Sequence, residues 1–340
     1  MIPLPVGPLQ RDQRPDLMRI LKTVAALALS GCLIQAEGNR TARPSQKAYI
    51  FTSFRNNGED GLHLAYSTDG LTFKALRGDA PFLAPQVGGK LMRDPCIIQG
   101  PDKTFHMVWT TSWEDRGIGI AHSPDLINWS DQAFIPVMAH EPKAKNCWAP
   151  EITWDPEGQQ YVIYWATTIP DQFTETAQAA DKGWNHRMYS TTTKDFQTYT
   201  ATRLFYNPGF NVIDSTILKA SDHYIMITKD ETRYPPAKNL HLATSKRVTG
   251  PWKKSGAPFS PEGVWVEGAT ALKVGEYWYV YFDCYATHRY GAMRTKDFEN
   301  WEDVSEQLTV PEGMRHGTVL EVSQDVLGGL LQVKQAHAPQ

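Results

Sequence analysis

Five short phrases each set an ionisable side chain at the head of an apolar run: Arg93-Asp94-Pro95, Trp148-Ala149-Pro150-Glu151, Ile213-Asp214-Ser215, Val266-Glu267-Gly268 and Arg315-His316-Gly317. Taken singly, each acidic residue would pass for a solvated turn residue or a cap. Together they supply four carboxylates and an imidazole in what reads as one recurring position. Crowded carboxylates repel and raise one another's pKa values, so folding gains nothing from gathering them, and a chemical cause is expected. Hydrolysis of a glycosidic bond needs such a set. One carboxylic acid protonates the departing oxygen, and one carboxylate activates water on the opposite face of the sugar. A third negative group keeps the acid protonated near neutral pH.

The elements that would bring these residues together are legible as repeats. The phrase Ser67-Thr68-Asp69-Gly70-Leu71-Thr72-Phe73 returns as Ser123-Pro124-Asp125-Leu126-Ile127-Asn128-Trp129, as Thr193-Lys194-Asp195-Phe196-Gln197-Thr198-Tyr199 and as Thr295-Lys296-Asp297-Phe298-Glu299-Asn300-Trp301. A degenerate copy is Ser245-Lys246-Arg247-Val248-Thr249-Gly250-Pro251-Trp252. The spacing is roughly 50 to 70 residues, the scale of one four-stranded propeller blade with its loops. Alternating apolar and aromatic runs such as Phe105-His106-Met107-Val108-Trp109 and Tyr277-Trp278-Tyr279-Val280-Tyr281 precede the phrases and read as strands. No long stretch has a 3.6-residue period, so helices should be few. The last opener, at Arg315, has no blade after it, and the first repeat, near 48–73, has no opener before it. The expected fold is therefore all-β: a five-bladed β-propeller closed by pairing the C-terminal strand with the N-terminal blade, which removes the open edges. First strands line the central channel, so the openers would converge on the axis.

With these motifs in order, the sequence resembles glycoside hydrolase family 43 over residues 47–322. The family is a five-bladed propeller of arabinofuranosidases, β-xylosidases and arabinanases. The resemblance implies that Asp94, in Arg93-Asp94-Pro95, is the general base and that Glu267, before Gly268, is the general acid. Asp214 would orient the acid and tune its pKa, with Ser215 standing where Asp-Pro is usual. Glu151 stands where Asp is commoner, and His316-Gly317 matches a channel histidine that often helps bind calcium through water. The related invertase-type propellers need an Asn-Asp-Pro nucleophile one blade earlier and a Glu-Cys acid, and neither is present.

The expected activity is inverting, exo-acting hydrolysis of oligosaccharides or polysaccharide side chains, most of all at non-reducing α-L-arabinofuranosyl residues. The alternatives are a β-D-xylosidase, a β-galactofuranosidase or galactanase, a non-catalytic glycan-binding surface propeller, and a protein-interaction propeller. Candidate substrate contacts are Arg93, Trp113, Trp148, Glu151, Trp184, Lys229, Arg289 and Arg315. The long polar segment 168–187, which carries Trp184, reads either as a rim loop shaping a pocket or as a variable surface insertion. No cofactor is required; a structural calcium at the axis, reached through His316, is the one candidate ion.

Residues 1–36 read as an N-terminal extension and export segment: Met18-Arg19-Ile20-Leu21-Lys22 is a positive lead, and the apolar run 24–29 is too short to span a bilayer. Leu29-Ser30-Gly31-Cys32 resembles a lipobox with Cys32 as the lipidation site; ordinary cleavage near Ala36 is the alternative. Residues 37–46 read as a linker and 47–340 as a single catalytic domain. An exported monomer in the bacterial periplasm or at the cell surface is expected, with membrane contact only through a lipid anchor. The net charge of −3 gives no basic surplus for nucleic acid. Cys96, Cys147 and Cys284 lack zinc-site spacing and read as buried free thiols.

Overall fold

The recurring aspartate phrase is a turn that bonds to its own backbone. Asp69 Oδ1 accepts from the Leu71 and Thr72 N–H groups at 2.8 and 2.7 Å, and Ser67 Oγ accepts from the Gly70 N–H at 2.9 Å. The same bonds recur around Asp125, Asp195 and Asp297. Short polar side chains that satisfy nearby N–H groups favour turns over strand or helix. The residue after each aspartate takes a left-handed conformation, with φ of 78° at Gly70, 66° at Leu126, 57° at Phe196 and 62° at Phe298.

The computed structural model describes residues 47–333, and these turns separate the third and fourth strands of four of its five blades. In chain order, β1 (Ala48–Ser53), β2 (His63–Ser67) and β3 (Lys74–Ala75) come first. Next are β4 (Arg93–Gln99), β5 (Phe105–Thr110), β6 (Ile118–Ser123) and β7 (Ala133–Ile135), which form blade I. Blade II is β8 (Trp148–Asp155), β9 (Gln160–Thr168), β10 (His186–Thr193) and β11 (Arg203–Tyr206). Blade III is β12 (Val212–Lys219), β13 (Tyr224–Asp230), β14 (Asn239–Ser245) and β15 (Lys253–Ser255). Blade IV is β16 (Glu267–Val274), β17 (Tyr277–Cys284), β18 (Arg289–Thr295) and β19 (Glu302–Asp303), and β20 (Val319–Val322) follows. There are five four-stranded sheets, and the fifth runs β20-β1-β2-β3. The expected closure is present: β20 pairs antiparallel with β1, Val322 opposite Ala48 and Val319 opposite Phe51.

Inner strands are buried on both faces because each blade is sandwiched between two others. Along β1 the period-2 alternation sorts side chains between neighbours. Ile50 packs with Met107 and Trp109 of blade I, whereas Tyr49 and Phe51 pack with Leu272 and Tyr281 of blade IV. In β5, Val108 turns the other way, toward Ile163 and Trp165 of blade II. The core is thus a ring of inter-blade clusters. One nine-residue helix, α1 (Gln324–Gln332), follows β20, capped by Ser323, and buries Leu327 and Leu330 in the cluster around Ile50. Cys96, Cys147 and Cys284 are free and buried. The export segment, Cys32 and the linker expected within residues 1–46 lie outside the described residues.

Candidate active site

The inner strands of blades I to IV begin with the same irregularity. The register slips between Arg93 and Cys96, Trp148 and Glu151, Ile213 and Thr216, and Glu267 and Thr270. Each slip is a β-bulge, which bends the strand and re-aims a side chain. Each holds a residue at positive φ: Asp94 at 52°, Ala149 at 46°, Asp214 at 50° and Gly268 at 60°. For a residue other than glycine that conformation costs about 1 to 2 kcal/mol. At Gly268 a side chain is also excluded by space, since a Cβ would fall 2.4 Å from the His316 ring.

The bulges correct one sequence expectation, that the openers deliver their ionisable groups from a single slot. Asp94 and Asp214 occupy the bulge itself. Glu267 sits one residue before it, and Glu151 sits after it, paired with Tyr164. The offset sorts them. Asp94, Asp214 and Glu267 line a cavity of about 500 Å³ at the axis, and Glu151 does not.

Asp94 lies at the base of blade I. Its Oδ2 accepts from Thr110 Oγ1 at 2.8 Å, and its Oδ1 is 3.3 Å from His316 Nδ1. Burial opposes its ionisation, but the hydrogen bond and charge of His316, with Arg93 and Thr110, outweigh burial and hold the carboxyl at about 2. His316 gains in return: burial lowers its pKa, yet Asp94, Asp214 and Glu151 together lift it to about 9. An imidazolium therefore stands among three carboxylates. Asp214 Oδ2 accepts from the Gly268 N–H at 3.0 Å, which ties it to the strand start carrying Glu267. Burial raises the Asp214 pKa, helped by Glu267 and Asp94 and opposed by His316 and Lys229.

Glu267 is held differently. Its Oε2 is 3.1 Å from Lys229 Nζ and its Oε1 is 3.3 Å from Arg315 Nη2. Lys229 also pairs with Glu231 at 2.6 Å, and Arg315 with Asp283 at 2.6 Å. Burial and the charge of Glu267 push the Asp283 carboxyl up to about 6, against the pull of Arg315.

Facing this ionic wall is an aromatic one from blades I and II. Trp148 lies 5.5 Å edge-on from Trp113 and 4.7 Å from Trp184, whose ring stacks on His186 at 5.8 Å. Trp148 Nε1 donates to the Trp113 carbonyl, Trp113 Nε1 donates to Asn57 Oδ1, and the Arg93 guanidinium sits 4.3 Å over the Trp113 ring. Segment 168–187 is a rim loop: it delivers Asp181 and Trp184 to the cavity. Arg187, fully buried, anchors it by donating to Asn207 Oδ1, Asn185 Oδ1, the His186 carbonyl and Thr176 Oγ1, with its guanidinium 4.4 Å over Phe173.

Of the expected contacts, Arg93, Trp113, Trp148, Trp184 and Arg315 line the cavity. Glu151, Lys229 and Arg289 do not. Glu151 is buried against the Tyr164 hydroxyl at 3.1 Å, and burial pushes its carboxyl up to about 7. Lys229, 1% exposed, serves Glu267 and Glu231 rather than the open cavity. Arg289 opens onto a neighbouring cleft. The sequence reading missed Asn56, Asn57, Asp181, His186, Asn211, Glu231 and Tyr285, all in the lining. The expected calcium would need six to eight hard oxygen ligands. Among the described residues no three His, Cys, Asp or Glu side chains are grouped to hold a metal ion, and His316 Nδ1 is engaged with Asp94. The residues do not fit a directly ligated ion, and His316 itself supplies positive charge beneath the cavity.

A sequence model of a probable glycosyl hydrolase domain, related to glycoside hydrolase family 43, matches residues 45–327. The chain belongs to this family. An α-L-arabinofuranosidase of Bifidobacterium longum subsp. longum is 23% identical to this family 43-related chain over 245 residues, which is 64% of the chain but only 23% of that protein's length. Among solved structures, the exo-β-1,3-galactanase of Phanerochaete chrysosporium superposes with a TM-score of 0.50 at 12% identity, over 66% of this chain and 52% of that one. The α-L-arabinofuranosidase of Lactobacillus brevis gives 0.48 at 17% identity, over 62% and 72%. At such identities the galactanase supports the family 43-type propeller fold and nothing finer.

Proposed function

We propose that the protein hydrolyses glycosidic bonds with inversion, removing non-reducing α-L-arabinofuranosyl residues from oligosaccharides or polysaccharide side chains. One observation carries the reading: two carboxylates line a single cavity in unlike settings. Asp94, kept ionised by His316, takes a proton from the attacking water, and Glu267, on the ionic wall, gives one to the departing oxygen. Asp214, bonded to the Gly268 N–H, fixes the strand start from which Glu267 projects. The aromatic wall offers faces for the C–H surface of a sugar ring. The arabinofuranoside preference rests on the Bifidobacterium relative, which is an α-L-arabinofuranosidase. Export through the segment 18–36, with Cys32 as the lipid attachment site, belongs to the same proposal and rests on the positive lead and apolar run.

The test is a panel of nitrophenyl glycosides (α-L-arabinofuranoside, β-D-xyloside, β-D-galactofuranoside), with the released anomer followed by NMR. Release of arabinose in the inverted configuration is expected. Retention would overturn the roles of Asp94 and Glu267. Release of xylose or galactose instead would move the substrate, and sugar binding without release would make the protein a glycan-binding propeller.

A further inference from the structure

A second cavity, of about 900 Å³, lies beside the first. Three chain segments pass from one to the other. Trp265 lines the second cavity and Glu267, two residues on, lines the first; Cys284 and Ala286 line the second and Tyr285, between them, the first; Met314 lines the second and Arg315 the first. The acid Glu267, its partner Arg315 and Tyr285 therefore stand on the side of the first cavity where the chain passes to the second. Aromatic surface continues there, with the Trp265 and Tyr285 rings 6.3 Å apart. Asp94 stands on blade I, and no residue next to it in sequence lines the second cavity.

In an inverting displacement water enters from the base's side and the leaving group departs on the acid's side. On the acid's side here lies a cleft of nearly twice the volume of the sugar pocket. Its floor is apolar, from Phe282, Val310 and Met314, and its exposed edge mixes Thr287, His288, Arg289, Glu306 and Glu312. Mixed charges over an apolar floor suit neutral hydroxyls and C–H faces, and a polyanion would meet Glu306 and Glu312.

We infer that this cleft receives the leaving-group portion of the substrate, a neutral oligosaccharide chain, so that the scissile sugar is taken from a glycan in preference to a small alcohol. The inference rests on the hydrolase reading. Arg289 then contacts substrate after all, on the far side of the scissile bond.

The experiment compares kcat/KM on 4-nitrophenyl α-L-arabinofuranoside with kcat/KM on linear arabino-oligosaccharides of increasing length. The wild type is set against Thr287→Trp, which fills the cleft from an exposed turn, and Arg289→Ala, with melting curves to verify folding. In the wild type kcat/KM should rise with chain length. In each variant the oligosaccharide-to-aryl ratio should fall about tenfold, the worth of one or two hydrogen bonds or a lost apolar contact. A flat length profile in the wild type, or an unchanged ratio in both variants, overturns the cleft assignment while leaving hydrolysis standing. A wild type that cleaves neither probe overturns the arabinofuranosidase reading and this inference with it.

Discussion

The two walls of the cavity differ in kind. Blades I and II present stacked rings, Trp113, Trp148, Trp184 and His186, above a base that is nearly buried and held by one cation and one hydroxyl. Blades III and IV, with the stretch leading into β20, present a lattice of ion pairs, Glu231–Lys229–Glu267–Arg315–Asp283, around an acid whose side chain is 23% exposed. The difference maps onto the two jobs. A base must be deprotonated when it meets its water in one fixed place, which suits a deep, rigid setting. An acid must regain its proton from solvent before the next cycle, which suits a partly exposed side chain.

The contrast predicts unequal consequences for equal substitutions. Asp94→Asn should lower kcat by about 10³-fold on every substrate, because water activation is needed whatever the leaving group. Glu267→Gln should match that loss on oligosaccharides and lose far less on nitrophenyl glycosides, whose leaving group departs without protonation. Equal losses for Glu267→Gln on both substrate types would break the assignment of acid to the ionic wall.

The aromatic wall depends on the rim loop, so Arg187→Ala should cost about 3 kcal/mol of stability, read by urea unfolding, since it strands several buried acceptors at once. It should also raise KM by loosening Trp184. Arg187→Lys should rescue little, because an ammonium cannot reproduce the planar fork of bonds. A normal KM in Arg187→Ala would detach the loop from substrate binding.

His316 joins the two walls, and its removal should show in the pH–rate profile. With His316 present, Asp94 is held at about 2. In His316→Gln burial loses its main opponent, the carboxyl pKa rises, and the acidic limb of kcat/KM moves to higher pH. An unmoved limb would mean that His316 does not set the base's ionisation.

The smallest effect concerns stability alone. His106, bonded to Tyr161 across the seam between blades I and II, is pushed down to about 4 by burial and by the charge of His122. The unfolded chain then binds more protons than the folded one between about 6.5 and 4, so stability should fall as pH drops through that window. His316, raised to about 9, has the opposite sign: its contribution is complete below about 6.5 and fades as pH climbs through 9. In melting curves against pH, His106→Gln should reduce the loss on the acid side and leave the alkaline side unchanged.

The blades were legible because their signals are local. Ser67 and Asp69 bond to N–H groups within three residues, so the turn shows in seven letters. Ring closure followed from a strand without a blade and a blade without a strand. The five charged openers were legible too, but their offset was not: a bulge is a matter of pairing between strands, and no letter in Glu267-Gly268 marks it as one residue out of step with Arg93-Asp94. Glu151 was misplaced for that reason, since it lies beyond the bulge and faces Tyr164. Glu231, Asp181 and Tyr285 carried no motif at all. They reach the cavity from the end of a strand and from hairpin loops, where position is set by the ring and not by neighbours in sequence.

Because β20 completes the blade that β1 begins, the stretch carrying Arg315 and His316 leaves the ribosome only after blades I to IV. Until it arrives, Asp94, Asp214, Glu267 and Asp283 share an axis without two of their compensating cations. An incomplete chain is thus open at one edge and self-repelling at its centre. The strand that shuts the ring also neutralises it, so geometric completion and charge balance come in a single step, and chains that stop short have no stable imitation of the finished site.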